Sequence, residues 1–250
     1  MMAHRDLLPQ YASEVRKTNP NSCVILIGSV ARNTNSERSD LDLLVLSNET
    51  PRIPPPPAGF HVASGSVTNF VENLKAGEDF EAWCVRLGTI IEDDGLWAEV
   101  KDRPEASVWP SWEKKIVHGT RRLFVGGELL KQGDLDAASE ELLYAIGHAS
   151  RGLLLKSMVF PLSRPELEGQ VRSLDFPRLA EVHRRLRLDE NVSLRFLNRC
   201  QKYAKKILCH LGAHVYEYNA REFRRKQTIK AERRRLRELS SAPGARNQGI

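Results

Sequence analysis

Short apolar segments separated by polar turns occupy the first hundred residues. Runs of four to eight apolar residues indicate buried strands, and apolar side chains at three- to four-residue spacing indicate helices. The pattern predicts, in order, a helix, three strands, a helix and a strand, over residues 5–17, 23–27, 41–46, 60–67, 67–83 and 87–91. A further short helix is expected directly after the first strand. Strands and helices mixed in this order indicate a small α/β layer.

After residue 112 the pattern changes to longer helical periods. Five amphipathic helices are predicted, over residues 113–132, 135–158, 164–172, 177–186 and 193–213. The fold class is therefore α+β: a small mixed β-sheet domain over residues 1–105, then an α-helical bundle over 113–220. Residues 221–250 are expected to be a basic, partly disordered tail.

The composition is that of a globular chain, but the charge is unevenly placed. Of 250 residues, 41% are hydrophobic and 28% are charged, which excludes wholesale disorder and collagen-like repeats. The net charge is +6, and residues 221–238 alone hold nine basic and three acidic side chains. Clustered arginines attract phosphate backbones, so this tail is a candidate contact for an RNA or a protein acceptor. A solvated terminus is the alternative.

The chain is expected to work in the cytoplasm. Its four cysteines form no CxxC pair, and together with the lack of a secretory signal this predicts reduced thiols. The most apolar long segment, residues 142–160, is interrupted by charged side chains, so no membrane span is expected.

One segment contains candidate catalytic and binding residues. It consists of a Gly-Ser pair, ten further residues and then an Asp-Leu-Asp triplet in an apolar strand. Gly28 permits a sharp turn and close backbone approach to a ligand. Ser29 begins a short helix, whose free N–H groups favour a phosphate. Asp40 and Asp42 are two residues apart in a strand, so both side chains leave on one face.

Two adjacent carboxylates repel each other unless a cation compensates them. Mg²⁺ prefers oxygen ligands and bridges carboxylates to the phosphates of a nucleotide. The sequence therefore predicts a phosphate cradle at Gly28 and Ser29 and a Mg²⁺ site at Asp40 and Asp42.

This arrangement resembles the nucleotidyltransferases of the DNA polymerase β superfamily, in particular the minimal and kanamycin-nucleotidyltransferase branch. Gly28, Ser29, Asp40 and Asp42 match the family pattern, and Ser39 suits it. The resemblance implies transfer of a nucleoside monophosphate from an NTP, with ATP as the expected donor, to a hydroxyl group. It also implies that the two aspartates hold Mg²⁺ while Gly28, Ser29 and Ser39 bind the triphosphate.

Active members of the family place a third carboxylate on the next strand, where this chain has His61. Imidazole is a poor Mg²⁺ ligand but a capable general base near neutral pH. His61 is therefore a candidate catalytic residue. Other nearby carboxylates are Glu72 and the run Glu92, Asp93 and Asp94, of which the run is expected to be a solvated turn.

Residues 133–171 resemble the helical domain that follows the catalytic domain in kanamycin-nucleotidyltransferase-like proteins, a group often placed with HEPN bundles. Arg151 and Lys156 interrupt an otherwise apolar helix there. If these side chains face the cleft between the domains they neutralise triphosphate charge, and Lys156 is a candidate nucleotide-binding residue. The alternative is a solvent-facing pair.

Arg178 and His183 match the spacing of HEPN ribonucleases. In so arginine-rich a segment a chance match is easy, and the position is not that of the nuclease motif. Ribonuclease activity is therefore not expected.

Two functional hypotheses remain open. The first is a Mg²⁺-dependent nucleotidyltransferase acting on a protein, an RNA or a small molecule. The second is a catalytically impaired nucleotidyltransferase fold that serves as a binding module, either for RNA or as part of a toxin–antitoxin or defence system. His61 is the residue that favours this second hypothesis.

Overall fold

The computed structural model describes residues 2–35, 39–188 and 192–212. Four strands in this part of the chain form one mixed sheet in the order β3-β2-β1-β4. β1 pairs antiparallel with β2 and with β4, whereas β2 and β3 are parallel. The strands are β1 (Ser22–Ile27), β2 (Leu41–Ser47), β3 (Phe60–Ser66) and β4 (Thr89–Glu92). All four strands predicted from the apolar runs are confirmed.

The sheet is covered on both faces, because the central strand β1 is buried along its whole length. Cys23, Ile25 and Ile27 pack into one hydrophobic cluster, while Val24 and Leu26 pack into another on the opposite side. This alternation follows from the two-residue period of a strand. The sheet is therefore the middle layer of three.

Helices on the two sides complete the layers. On one face lies α1 (Met2–Thr18), and on the other lie α3 (Val67–Lys75), α4 (Asp79–Leu87) and α5 (Leu96–Asp102). The short α2 (Gly28–Ala31) follows β1, and a 3₁₀ turn (Pro104–Ser107) follows α5.

The single helix predicted over residues 67–83 is wrong, because the structure divides it into α3 and α4. Gly77 lies between them with φ of +75°, in the left-handed region that favours glycine. Its carbonyl oxygen accepts a hydrogen bond from the N–H of Ser111 at 2.9 Å. The connection to the second half of the chain therefore packs into the break.

Five helices follow, as the periodicity predicts. They are α6 (Trp112–Gln132), α7 (Leu135–Lys156), α8 (Arg164–Ser173), α9 (Pro177–Leu188) and α10 (Leu194–His210). α7 is the central helix and contributes the fully buried Leu142, Ile146 and Leu154 to a core shared with α6, α8, α9 and α10. The predicted α+β class is confirmed, and the division into domains at residues 105 and 113 stays a prediction.

Residues 213–250, which include the end of the predicted bundle and the whole basic tail, lie outside the described residues. Within the described part, no helix is both long enough and apolar enough to cross a membrane.

A buried ion-pair cluster joins the sheet layer to the helical half. Asp79, at the start of α4, accepts hydrogen bonds from Lys115 of α6 and, at 3.3 Å, from Arg151 of α7. Burial alone would raise the pKa of Asp79, but the two cations outweigh it and hold this pKa below its ordinary value. Lys115 is only 3% exposed, so its charge depends on Asp79 for compensation.

Replacing Asp79 with asparagine removes that compensation while keeping the side-chain volume. We expect the free energy of unfolding at pH 7 to fall by about 3–5 kcal/mol, the range for removing one partner of a buried ion pair. Because the pKa of Asp79 is depressed in the folded state, the wild-type chain should lose this stabilisation as the pH falls through that value. The variant should not, so the stabilities of the two chains should converge in acid.

Urea unfolding at a series of pH values measures this difference. Asp102→Asn is the matched control, because Asp102 is exposed at the end of α5 and its loss should cost at most about 0.5 kcal/mol. Equal stability of the two variants at pH 7 would contradict the assignment.

Candidate active site

The sheet register brings the predicted site residues to one edge. Ile27, the last residue of β1, pairs with Asp42 of β2, and Asp42 in turn pairs with His61 of β3. Since β1 ends where β2 and β3 begin, the turn at Gly28 and Ser29 lies at the same edge as the carboxylates. Sequence positions up to 33 residues apart thus form one cluster.

The backbone at Gly28 lies directly against the Asp42 carboxylate. Gly28 has φ of +76°, and a Cβ atom built on it would lie 2.3 Å from Oδ2 of Asp42. No side chain fits in that space unless the carboxylate moves. Ser29 follows in the first turn of α2, half-buried, and its carbonyl oxygen accepts the N–H of Thr34 at 3.0 Å.

His61 faces both aspartates. Its Nδ1 atom lies 3.5 Å from Oδ1 of Asp42 and 3.8 Å from Oδ2 of Asp40. The imidazole is 69% exposed and the Asp40 side chain 50% exposed, so solvent and ligands reach the cluster. The two oxygens of Asp42 are therefore divided between Gly28 on one side and His61 on the other.

The environment of Asp42 raises the pKa of its carboxyl group. Partial burial raises the pKa of Asp42, and the nearby Asp40 adds to the rise, whereas His61 and Arg164 lower it. The net pKa lies above the ordinary value of an aspartic acid. A cation bound at the two carboxylates would favour the ionised form.

The donor set suits a divalent ion that arrives with its substrate. Among the described residues, no group of three or more His, Cys, Asp and Glu side chains is placed to hold a metal ion. The two carboxylates remain, and Mg²⁺ is commonly held by one or two carboxylates together with substrate phosphates. Asp40 and Asp42 therefore fit Mg²⁺ as part of a metal–nucleotide complex.

The other acidic candidates lie elsewhere. β4 is at the opposite edge of the sheet from β3, and Glu92 pairs with Val24, away from Asp42. Asp93 accepts a hydrogen bond from the N–H of Trp97 in the first turn of α5 at 2.9 Å, while Asp94 pairs with Arg16. Asp93 and Asp94 thus have structural partners, and Glu92 lies on the outer strand at the side of the sheet opposite β3.

Helix α8 approaches the site from the helical half, which the sequence did not indicate. Arg32, directly after α2, donates to both carboxylate oxygens of Glu166, at 3.1 and 2.6 Å. Glu166 also accepts hydrogen bonds from Ser163 in a capping box at the start of α8. The same carboxylate therefore binds Arg32 and caps the helix. This places the first residue of α8, Arg164, near the carboxylates.

Arg164 belongs to the helical half, and its positive charge lowers the pKa of Asp42. Its guanidinium also lies 5.3 Å from the centre of the Tyr144 ring, and Arg122 lies 4.8 Å from the same ring. A cation in the first turn of a helix opposes the helix dipole, and that unfavourable position is the one sequence signal for Arg164.

The remaining candidates lie in other surroundings. Arg151 is engaged with Asp79 at the junction described above. The ammonium group of Lys156 lies 4.6 Å from the centre of the Trp112 ring, so its nucleotide-binding role stays a prediction. Ser39 is half-buried next to Asp40, and its role also stays a prediction.

His183, the histidine of the nuclease-like spacing, is 3% exposed. Its Nδ1 atom lies 3.3 Å from Oε1 of Glu168, which also accepts a hydrogen bond from Arg187 at 3.0 Å. Burial lowers the pKa of His183, although Glu168 opposes this. The imidazole of His183, on α9, is thus buried beside Glu168 of α8.

Three comparisons relate this chain to known proteins. A comparison with curated proteins gives no match. Among solved structures, a nucleotidyltransferase-like protein from Exiguobacterium sibiricum is similar with a TM-score of 0.43 and 17% identity, over 81% of this chain and 75% of that chain. The resemblance of the helical half to HEPN bundles stays a prediction.

The family model described as "Nucleotidyltransferase domain" matches residues 8–106. This range includes the turn at Gly28, both aspartates and His61. Residues 8–106 therefore form a nucleotidyltransferase domain.

Proposed function

We propose that the chain is a Mg²⁺-dependent nucleotidyltransferase that moves a nucleoside monophosphate from an NTP, with ATP as the expected donor, to a hydroxyl group. The supporting observation is the convergence of the Gly28 turn with Asp40 and Asp42 at one sheet edge. By family resemblance the acceptor is a protein, an RNA or a small molecule.

In this proposal, Gly28 and Ser29 bind the triphosphate through the backbone N–H groups at the start of α2. Asp40 and Asp42 would hold Mg²⁺, which when bound neutralises phosphate charge and orients the phosphates. Arg164 adds a positive charge from the helical half, on the side where triphosphate charge needs compensation.

The reaction forms a bond between the acceptor oxygen and the α-phosphorus. The bond from that phosphorus to the oxygen bridging to the β-phosphate breaks, and pyrophosphate leaves with the electron pair. The acceptor hydroxyl loses its proton, and the exposed imidazole of His61 beside both carboxylates is the candidate base. The domain contributes mainly position and charge neutralisation.

Neutralising both aspartates tests the proposal. We expect Asp40→Asn/Asp42→Asn to abolish the transfer of label from α-labelled NTP to acceptors in a cell extract, as omission of Mg²⁺ or addition of EDTA should do. The physical reason is loss of the negative charge of the two oxygen ligands, because the amide oxygens of asparagine bind Mg²⁺ much more weakly than carboxylates do. Glu99→Gln/Asp102→Asn makes the same change in net charge on the exposed face of α5 and should leave transfer intact. Undiminished labelling by the aspartate variant would rule out the proposed site.

Alanine substitutions at two different glycines distinguish the effect of backbone strain from the effect of contact with the Asp42 carboxylate. Gly28 and Gly133 have nearly equal φ values, of +76° and +79°, but a Cβ atom on Gly133 meets nothing within 4 Å. Both alanine variants should therefore lose about 1 kcal/mol of stability through strain. We expect only Gly28→Ala to weaken NTP binding, by about tenfold or more, because its methyl group displaces Asp42 by more than an ångström.

Titration calorimetry with NTP and Mg²⁺, beside thermal unfolding of both variants, measures the two effects. Equal NTP affinities of Gly28→Ala and Gly133→Ala would show that the Gly28 contact with Asp42 has no part in binding.

The second candidate function, a binding module without turnover, is favoured by the imidazole at the third acidic position. If this function is correct, the wild-type chain binds Mg²⁺–NTP but transfers nothing, and His61→Asp should gain transfer because it completes a set of three carboxylates. If the chain is active and His61 is its base, His61→Asn should lower the transfer rate by about 10²–10⁴-fold with nucleotide binding unchanged.

Single-turnover rates and NTP affinities of the wild type, His61→Asp and His61→Asn decide between the two functions. Transfer by the wild type excludes the binding module. An unchanged rate in His61→Asn excludes His61 as the base.

A further inference from the structure

Helix α10 has a charge composition unlike that of any other described helix of the bundle. Its 17 residues include five basic and no acidic side chains. The buried face is apolar and packs into the helical core through Phe196, Leu197, Cys200, Ala204, Ile207 and Leu208. All five basic residues are exposed. The solvent side of α10 therefore carries no negative charge.

The cations form a stripe along the helix. Arg195, Arg199, Lys202 and Lys206 are spaced i, i+4, i+7 and i+11, which places them on one face, and Lys205 lies beside them. With a rise of 1.5 Å per residue, the stripe is about 16 Å long and presents a cation at nearly every turn. We call these five residues the α10 stripe.

The α10 stripe is not neutralised by its neighbours. Among the residues that the structure describes, none of the five forms an ion pair, and two acids of the neighbouring helices α8 and α9 are engaged with other cations. Glu168 accepts from Arg187, and Glu181 accepts from Arg184 at 3.0 and 2.9 Å. Arg178 of α9 lies close enough to lower the pKa of Tyr203 on α10. The neighbouring helix thus extends the positive field.

The positive charge is concentrated and is not a property of the whole surface. Outside α10 and residues 221–238, the chain has 24 basic and 29 acidic residues and is net negative. One-signed clusters of this kind mark binding surfaces for polyanions, because they concentrate the electrostatic potential.

We infer that the α10 stripe binds the phosphodiester backbone of a nucleic acid. Arginine and lysine on successive turns present donors and charge to successive phosphates, without contact to base edges and so without sequence selectivity. A lipid surface is the less suitable polyanion, because a helix that lies on a membrane inserts its apolar face, and that face of α10 is packed in the bundle core. The inference goes beyond the proposed nucleotidyl transfer and is tested without NTP or metal.

The test measures binding of the full chain to a fluorescein-labelled single-stranded RNA, and to DNA of the same sequence, by anisotropy at a series of salt concentrations. We expect Arg195→Gln/Arg199→Gln/Lys202→Gln/Lys206→Gln to reduce the slope of log Kd against log salt by about 3, since each single-strand phosphate contact contributes roughly 0.7. Glutamine keeps the helix propensity high, so α10 should stay folded.

Two control chains distinguish the effect of where the positive charge lies from the effect of how much positive charge the chain has. Lys75→Gln/Lys101→Gln/Arg103→Gln/Arg121→Gln removes four exposed cations from other elements and should leave the slope unchanged. A chain in which the arginines and lysines of the α10 stripe are exchanged for one another keeps the charge and should bind RNA like the wild type.

Three results would overturn the inference. The first is that the α10 glutamine variant, shown by circular dichroism to be folded, keeps the wild-type slope of log Kd against log salt. The second is that the control with four glutamines on other elements loses as much of this slope as the α10 variant does. The third is stronger binding of the wild type to anionic phosphatidylserine vesicles than to either nucleic acid. RNA and DNA binding of equal strength supports backbone recognition, and a preference for RNA adds a contact to the 2′-hydroxyl.

Discussion

The contact between the backbone of Gly28 and the carboxylate of Asp42 positions the rest of the candidate site. It exists because β1 and β2 are antiparallel and Ile27 pairs with Asp42, so the chain leaves β1 beside the residue that begins β2. The positive φ of Gly28 then turns the backbone toward the carboxylate at a distance that no Cβ would allow. The other oxygen of Asp42 is left facing His61 and the solvent. Strand pairing and one glycine thus determine where a triphosphate and a cation would meet.

Two sets of ion pairs connect the sheet-containing part of the chain to the helical half by different routes. Asp79 holds Lys115 and Arg151 in a buried junction, whereas Arg32 and Glu166 join the end of α2 to the start of α8 at a partly exposed place. The buried set carries the larger desolvation penalty and so the larger consequence for stability. The exposed set is the one that orients α8 toward Asp42. Removal of the two sets should therefore have separable effects, on folding for the first and on the site for the second.

Local patterns predicted most of the elements, because strands and helices of this chain differ clearly in hydrophobic period. The convergence of Gly28 with Asp42 also follows from sequence, since the thirteen residues 28–40 between the two apolar strands leave room for little more than a turn and a short helix. The break at Gly77 was missed because its cause is distant: Ser111 donates to the Gly77 carbonyl from the connection before α6. The approach of Arg164 was missed for the same reason, since it depends on the pairing of Arg32 with Glu166, 134 positions apart.

The charge distribution separates the two binding functions proposed for this chain. The candidate active site is anionic at its centre, so phosphates can approach Asp40 and Asp42 only with a cation between them, and affinity there depends on the metal and on ångström-scale geometry. The α10 stripe is cationic and exposed, so it attracts phosphates directly, with an affinity that depends on ionic strength and little on geometry. A nucleic acid held on α10 would be repelled from the bare carboxylates, and a divalent cation bound there would reduce that repulsion. Electrostatics therefore makes phosphate binding at the carboxylates depend on a metal ion, whereas phosphate binding on the α10 stripe needs no metal and weakens with salt.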